Sequence, residues 1–304
     1  MKNKSGAVVN KKKQVILHIV IGFGSLIVMY PVLFCFIGSF AGNNLSFENA
    51  KLFAWPVPFA GVSNYIKVFQ NMSFLRSFII TVLKVAWAFV MMVITSVLAG
   101  YVFAKFRFFG KRFFFFTMLS SMMIPSVALL VPGFIWGRHL PLVGGNNILG
   151  QGGMGLINNP IGLVITGWVS VYNVFLCRQA FGGVDRELHE SAMMDGAGFF
   201  RDVFVIHMPI IRPIIAVIFL GIFLGNWNDY LNNLIYMPYA KEWWTMGNAI
   251  IEIMNVYSDP NSLGGPDYPM VFAISFVAAA LPIAVYIVVQ KQFVEGLAMG
   301  AVKG

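Results

Sequence analysis

Two groups of residues have the types and spacing to do chemistry. The first is the polar run Glu190–Pro209, which lies between two apolar stretches. Asp185 is suited to cap a helix, and Glu187 falls in its first turn, where the helix dipole favours an anion. Arg186–Met194 is rich in helix formers, and Gly196 is placed to end that helix in the left-handed conformation. Gly198–His207 reads as a second short helix, with Pro209 and Pro213 marking the exit into the next apolar stretch. The product is a helix–turn–helix bracket. Its small residues Ser191, Ala192 and Ala197 would let the backbone lie close to a partner surface; the plainer alternative is an amphipathic linker whose charges face water.

The second group surrounds Asp229, which sits in an apolar stretch with Asn226, Trp227, Asn228, Asn232 and Asn233. A charge at mid-bilayer costs at least about 2.5–3.5 kcal/mol, so Asp229 is expected to face the protein interior or a water-filled path. Trp168, Tyr172 and Asn173 form a similar polar–aromatic group in the preceding stretch. Amides and aromatic rings suit the hydroxyls and apolar faces of sugars, and equally suit hydrogen bonding between helices. With no His or Glu in its span, Asp229 makes a poor proton relay. His18, His139, His189 and His207 are scattered near span ends without metal-ligand spacing, and no nucleophile–base arrangement is evident. Cys35 and Cys177 lie in apolar stretches and read as small buried residues.

The elements that hold these residues follow from composition. The chain has 304 residues, 58% hydrophobic and only 11% charged, where a soluble domain carries roughly 25% charged. Six stretches reach the roughly 20 apolar residues that cross a bilayer as helix: Val15–Phe40, Phe74–Ala104, Phe113–Ile135, Ile161–Phe181, Ile214–Met237 and Tyr268–Gln290. The second is long enough to project beyond the bilayer, with Arg76 and Lys84 near its start snorkelling to the headgroups. Pro282 is expected to kink the last. Met1–Lys13 followed by Val15–Ala41 resembles a secretory signal, but the apolar run exceeds the roughly 7–15 residues of a signal core, so it reads as an uncleaved first membrane helix.

Orientation follows from the basic residues. With the N-terminus inside, cytoplasmic segments hold 15 of the 21 Lys and Arg, which places both termini in the cytoplasm. The net charge of +9 is then explained by topology, without nucleic acid. External loops are Ala41–Ser73, with Trp55-Pro56-Val57-Pro58; Trp136–Pro160, rich in Gly and Asn; and Pro238–Asp267, with an amphipathic stretch near Trp243–Val256 and a turn cluster at Ser262–Pro266. No internal repeat is visible.

Glu190-Ser191-Ala192-Met193-Met194-Asp195-Gly196-Ala197, followed by Ile206 and Met208-Pro209, resembles the E-A-A-x-x-D-G-A loop of binding-protein-dependent ABC importer permeases. Ser191 replaces the first alanine and Met208 the leucine before the proline, keeping size or apolarity. Ala104-Lys105-Phe106-Arg107-Phe108, Met123-Ile124-Pro125, Leu224-Gly225-Asn226-Trp227-Asn228-Asp229 and the tail from Gln292 to Gly304 are similar to the carbohydrate branch, as in the second membrane subunit of maltose-type systems. The resemblance covers nearly the whole chain.

It implies an all-α membrane protein with the type I importer permease fold. Residues 1–14 would be a cytoplasmic N-terminus, 15–290 the six-helix permease domain with a coupling loop at 182–212, and 291–304 a cytoplasmic tail. It implies a second homologous permease, two cytoplasmic ATPase subunits, an extracytoplasmic sugar-binding protein, and a bacterial inner membrane. In that family the first short helix of the loop docks in a groove of the ATPase, which assigns coupling to Glu190, Ser191, Ala192, Asp195, Gly196, Ala197 and Pro209. The chain lacks the G-x-x-x-x-G-K-[ST] pattern that cradles nucleotide phosphates, so ATP and Mg would be used by the partner, with no cofactor or metal in this chain and no enzymatic role for it. The rivals are an ion-gradient-driven secondary transporter and a membrane scaffold without transport.

Overall fold

The structure, a computed structural model, describes residues 11–42, 59–165, 167–261 and 265–301. Its elements are α1 (Lys11–Gly38), α2 (Ser63–Gln70), α3 (Met72–Lys105), α4 (Lys111–Ser121), α5 (Leu130–Arg138), α6 (Ile161–Ile165), α7 (Val171–Gly182), α8 (Arg186–Met194), α9 (Phe199–Arg201), α10 (Arg212–Trp227), α11 (Leu231–Tyr236), α12 (Met246–Tyr257) and α13 (Tyr268–Ala301). Short 3-10 turns at Ser126–Leu129 and Lys241–Trp243 and a π-helical turn at Asp202–His207 complete the order. The Trp55–Pro58 segment and most of the Ser262–Pro266 turn lie outside the described residues, as do residues 1–10 and 302–304.

Long apolar runs free of breakers form long helices, and runs with breakers do not. Among the described residues, three helices are long and apolar enough to cross a bilayer alone: Lys13–Gly38, Met72–Lys105 and Tyr268–Val294. Two bent pairs bring the number to as many as five. At 34 residues, α3 spans about 51 Å at 1.5 Å per residue and overshoots the roughly 30 Å hydrocarbon core, as its sequence predicts. The helix α13 runs through Pro282 to Ala301, so the described part of the expected tail is helical.

The third expected span, Phe113–Ile135, is two helical pieces bent by 92°. Pro125 stands at the corner, where its missing N–H and its clash with the preceding residue stop a helix. The fourth, Ile161–Phe181, is split: α6 ends at Ile165, Gly167 takes φ +92°, and Ser170 starts α7 by accepting the amide of Asn173. The fifth, Ile214–Met237, ends as one helix at Trp227 and restarts as α11. At 16 residues α10 covers about 24 Å, less than the bilayer core.

The breaks in the fourth and fifth stretches free carbonyls that lipid cannot satisfy, and side chains from other parts of the chain supply the donors. Trp87 Nε1 donates to Val164 O at 3.1 Å and Thr95 Oγ1 to Trp168 O at 2.8 Å, both from α3. At the α10–α11 break, Thr245 Oγ1 donates to Asp229 O at 3.2 Å and Asn248 Nδ2 to Tyr230 O at 3.2 Å.

The chain divides into two compact units. In the one made of Met1–Gln70 and Ile253–Ala280, the buried Asn64 amide donates to Ser39 O at 2.9 Å and Ala41 O at 3.0 Å just beyond α1. Phe34 and Phe36 pack on Phe272 and Phe276 with ring centroids 5.3 and 4.8 Å apart. The other unit, Asn71–Glu252 with Leu281–Gly304, is built on the crossing of α3 and α7. A Cβ on Gly100 would lie 2.5 Å from Cys177 Cβ and 2.9 Å from Arg178 N, so only glycine permits this approach. Val97, Tyr101, Cys177, Phe181, Val203, Ile211 and Ile218 form the core beside that crossing.

Candidate functional site

The bracket forms as its sequence dictates. Asp185 occupies the N-cap position of α8, although its side chain makes no capping hydrogen bond. The helix ends in a Schellman turn: Gly196 at φ +75°, with Ala197 N donating to Ala192 O at 2.9 Å and Gly196 N to Met193 O at 3.1 Å. The second expected short helix is one α-turn, α9, running into the π-helical turn, where Met208 N reaches back to Val203 O at 2.8 Å. Pro209 lies in the corner that follows and Pro213 in the first turn of α10, and the chain bends there by 87°.

Glu190, Ser191, Met194, Asp195 and Gly196 form an exposed face, with Met194 88% exposed. Glu190 is held at 3.0 Å by Arg186 one turn earlier. Ala192 and Ala197 are instead 6% and 7% exposed. Their smallness lets the bracket pack closely against its own chain.

Beneath that face lies a cluster that the sequence leaves scattered. The carboxylate of Asp202, 1% exposed, receives His189 Nδ1 at 2.7 Å on Oδ2, and the Tyr101 hydroxyl of α3 donates to the same oxygen. His207 Nδ1 lies 2.9 Å from Asp202 Oδ1 and donates at 3.0 Å to the main-chain carbonyl of Asp202. Separation of 18 in sequence hides the pairing of His189 with His207; the Gly196 turn brings their rings to 6.2 Å. Among the described residues, no group of three His, Cys, Asp or Glu side chains is arranged to hold a metal ion.

The second expected site is divided. A cavity of about 450 Å³ is lined by Asn226, Asp229, Tyr172 and Asn173, and also by Lys84, Ser170 and Asn232. Trp227 is instead buried, stacked on Phe223 at 5.8 Å. Asn228 turns back to Leu224 O at 3.0 Å, and Trp168 bonds Val164 O without lining the cavity. Asn233 is buried with its amide near Trp243 O at 3.5 Å.

Lys84 is where expectation and structure differ most. It does not snorkel: it is 7% exposed, and Nζ donates to Asp229 Oδ2 at 2.7 Å. The other carboxylate oxygen of Asp229 accepts the main-chain and side-chain N–H groups of Asn232 at 3.3 and 3.2 Å. One ionic contact thus joins α3 to the broken segment after α10, and the two charges on the cavity wall cancel. A lysine 12 residues into a 34-residue apolar helix was the available signal.

Residues 93–294 match the family of binding-protein-dependent transport system inner membrane components. The chain belongs to this family. It is a membrane permease component with several apolar helices, and it is similar to sugar-transport permeases. The diacetylchitobiose uptake system permease protein NgcG of Streptomyces coelicolor is 25% identical over 98% of this chain and 91% of its own length. The lactose transport system permease protein LacG of Rhizobium radiobacter is 29% identical over 69% of this chain and 68% of its own. A chain in the crystal structure of a bacterial ABC transporter that imports the acidic polysaccharide alginate shares the fold, with a TM-score of 0.79 and 23% identity over 96% of this chain and all of that one.

Proposed function

We propose that this chain is one permease subunit of an ATP-driven importer, forming half of a path for a sugar or oligosaccharide through a bacterial inner membrane. Six spans with both termini in the cytoplasm fit this role, each broken stretch counting as one crossing. The observation that carries the reading is the bracket: an exposed α8 face, closed by a Schellman turn and joined to α7 on one side and α10 on the other. Two cytoplasmic ATPase subunits would supply the energy, using ATP and Mg. One of them would meet Glu190, Ser191, Asp195 and Gly196, while Ala192, Ala197 and Pro209 hold the bracket's shape. A second, different permease would complete the path, and an extracytoplasmic binding protein would deliver the cargo, as the family's description implies.

When the ATPase pair closes on ATP, the bracket moves as one body and α7 and α10 move with it, switching the cavity between the two sides. Asn173, Asn226, Asn232, Tyr172 and Ser170 offer neutral donors and acceptors suited to hydroxyls. Lys84 and Asp229 pair with each other on the same wall.

Affinity isolation of the tagged chain from its native membrane tests the reading. An ABC ATPase and a second permease are expected to co-purify. Recovery of the chain alone, with uptake driven by an ion gradient, would make it a secondary transporter; recovery of partners without cargo-dependent flux would make it a scaffold.

A further inference from the structure

We propose that Tyr101 and Asp202 lock the coupling bracket onto α3, so that the ATPase stroke drives α3 as directly as it drives α7 and α10. This rests on the importer reading above and adds to it a third driven helix and the residues that hold it. Tyr101 lies near the end of α3 and is fully buried. Its ring meets Phe181 of α7 at 5.2 Å, His189 of α8 at 6.1 Å, Phe199 of α9 at 6.1 Å and His207 of the π-helical turn at 5.1 Å. One side chain of α3 therefore touches every part of the bracket. Its hydroxyl donates to Asp202, which also receives His189 Nδ1 at 2.7 Å.

Asp202 Oδ2 holds both donors, while the buried Oδ1 accepts no hydrogen bond and has only His207 Nδ1 beside it at 2.9 Å, so sliding that broke the Oδ2 bonds would leave the whole carboxylate unpartnered. Such a cluster resists shear: α8 cannot slide against α3 without breaking hydrogen bonds to a charged group. The edge-to-face aromatic contacts of Tyr101 add to that hold, but they involve no charge that a slide would leave unpaired. Close by, Lys105 Nζ donates to Val184 O at 2.7 Å, a second polar tie between α3 and the start of the bracket. Nothing else in the bracket needs a buried acid: the turn at Gly196 is closed by main-chain bonds. Asp202 and Tyr101 are thus positioning residues for coupling.

The test uses the whole complex, isolated with its co-purifying ATPase, second permease and binding protein and reconstituted in vesicles with the sugar that the binding protein carries. Tyr101→Phe removes only the hydroxyl; Asp202→Asn removes the charge. Both are measured for ATPase co-purification, for KM for ATP, and for sugar transported per ATP hydrolysed. The ratio is the informative quantity, since misfolded complex lowers transport and hydrolysis together. In Tyr101→Phe, the ATPase remains bound, KM for ATP stays unchanged, and the ratio falls about tenfold, the scale of one lost hydrogen bond to a charged group. In Asp202→Asn the ratio falls at least as far. The double variant should be no worse than Asp202→Asn, as residues acting through one contact require.

If Asp202→Asn fails to assemble, Tyr101→Phe decides alone. An unchanged ratio in Tyr101→Phe overturns the proposal, as does a fall in hydrolysis that matches the fall in transport. Absence of any ATPase from the wild-type isolate would instead overturn the importer reading.

Discussion

At the scale of single residues, two ion pairs of this chain should behave oppositely. Lys84 and Asp229 have side chains 8% and 14% exposed, so removing one partner leaves a charge without compensation. Lys84→Ala is expected to destabilise the chain by about 3–5 kcal/mol, the cost of breaking a buried pair. Exchanging the two residues should recover part of that loss, read as unfolding temperature in detergent. Arg186 and Glu190 are 67% and 60% exposed, and pairs of this kind contribute little. Glu190→Ala should leave the unfolding temperature unchanged and weaken ATPase co-purification; an unaltered ATPase yield would remove Glu190 from the docking face. The sequence makes Glu190 and Asp229 visible through the loop pattern and through a charge in an apolar run. It hides Lys84, whose partner is 145 positions away, because a lysine in the first third of a long span also fits the headgroup region. Asp202, His189, His207 and Tyr101 were hidden for a similar reason: their relation exists only once the Gly196 turn folds α8 back.

At the scale of elements, glycine sets two geometries that other residues cannot reproduce. Gly196 holds φ at +75°, which proline, fixed near −65°, cannot adopt. Gly196→Pro should leave the chain in the membrane and abolish ATP-dependent uptake; normal uptake would show that the angle between α8 and α9 is irrelevant to coupling. At the α3–α7 crossing, Gly100→Leu would force side-chain atoms into Cys177 and the main chain of Arg178. Overpacking of this kind costs about 1–3 kcal/mol or more, and a lowered unfolding temperature of the purified chain is the expected readout. The helix α13 runs 11 residues past the expected end at Gln290, whereas the lengths of α1 and α3 were legible because hydropathy is a property of long windows. The breaks were not, since a window of about 20 residues averages over Pro125, Gly167 and Asn228. The local signals were present in each case: a proline, a glycine and a polar cluster. What hydropathy cannot see is that α3 and α12 supply donors for the freed carbonyls.

At the scale of the whole molecule, a 304-residue chain that is 58% hydrophobic holds no G-x-x-x-x-G-K-[ST] pattern to cradle a nucleotide. Family membership spans residues 93–294, and the sequence loop and the broken helices both fall within it. Charge asymmetry predicts that a fluorescent protein fused after Gly304 folds and emits in the cytoplasm. A dark fusion with an active periplasmic reporter at the same position would reverse the topology and put the bracket on the wrong side for an ATPase. The most direct test of the central claim is uptake by the reconstituted complex. Vesicles holding this chain, its co-purifying partners and the binding protein are expected to accumulate the bound sugar when ATP is supplied on the ATPase side, and to stop when the ATPase subunit is omitted. Accumulation by this chain alone, without ATP and collapsing with the ion gradient, would contradict the account.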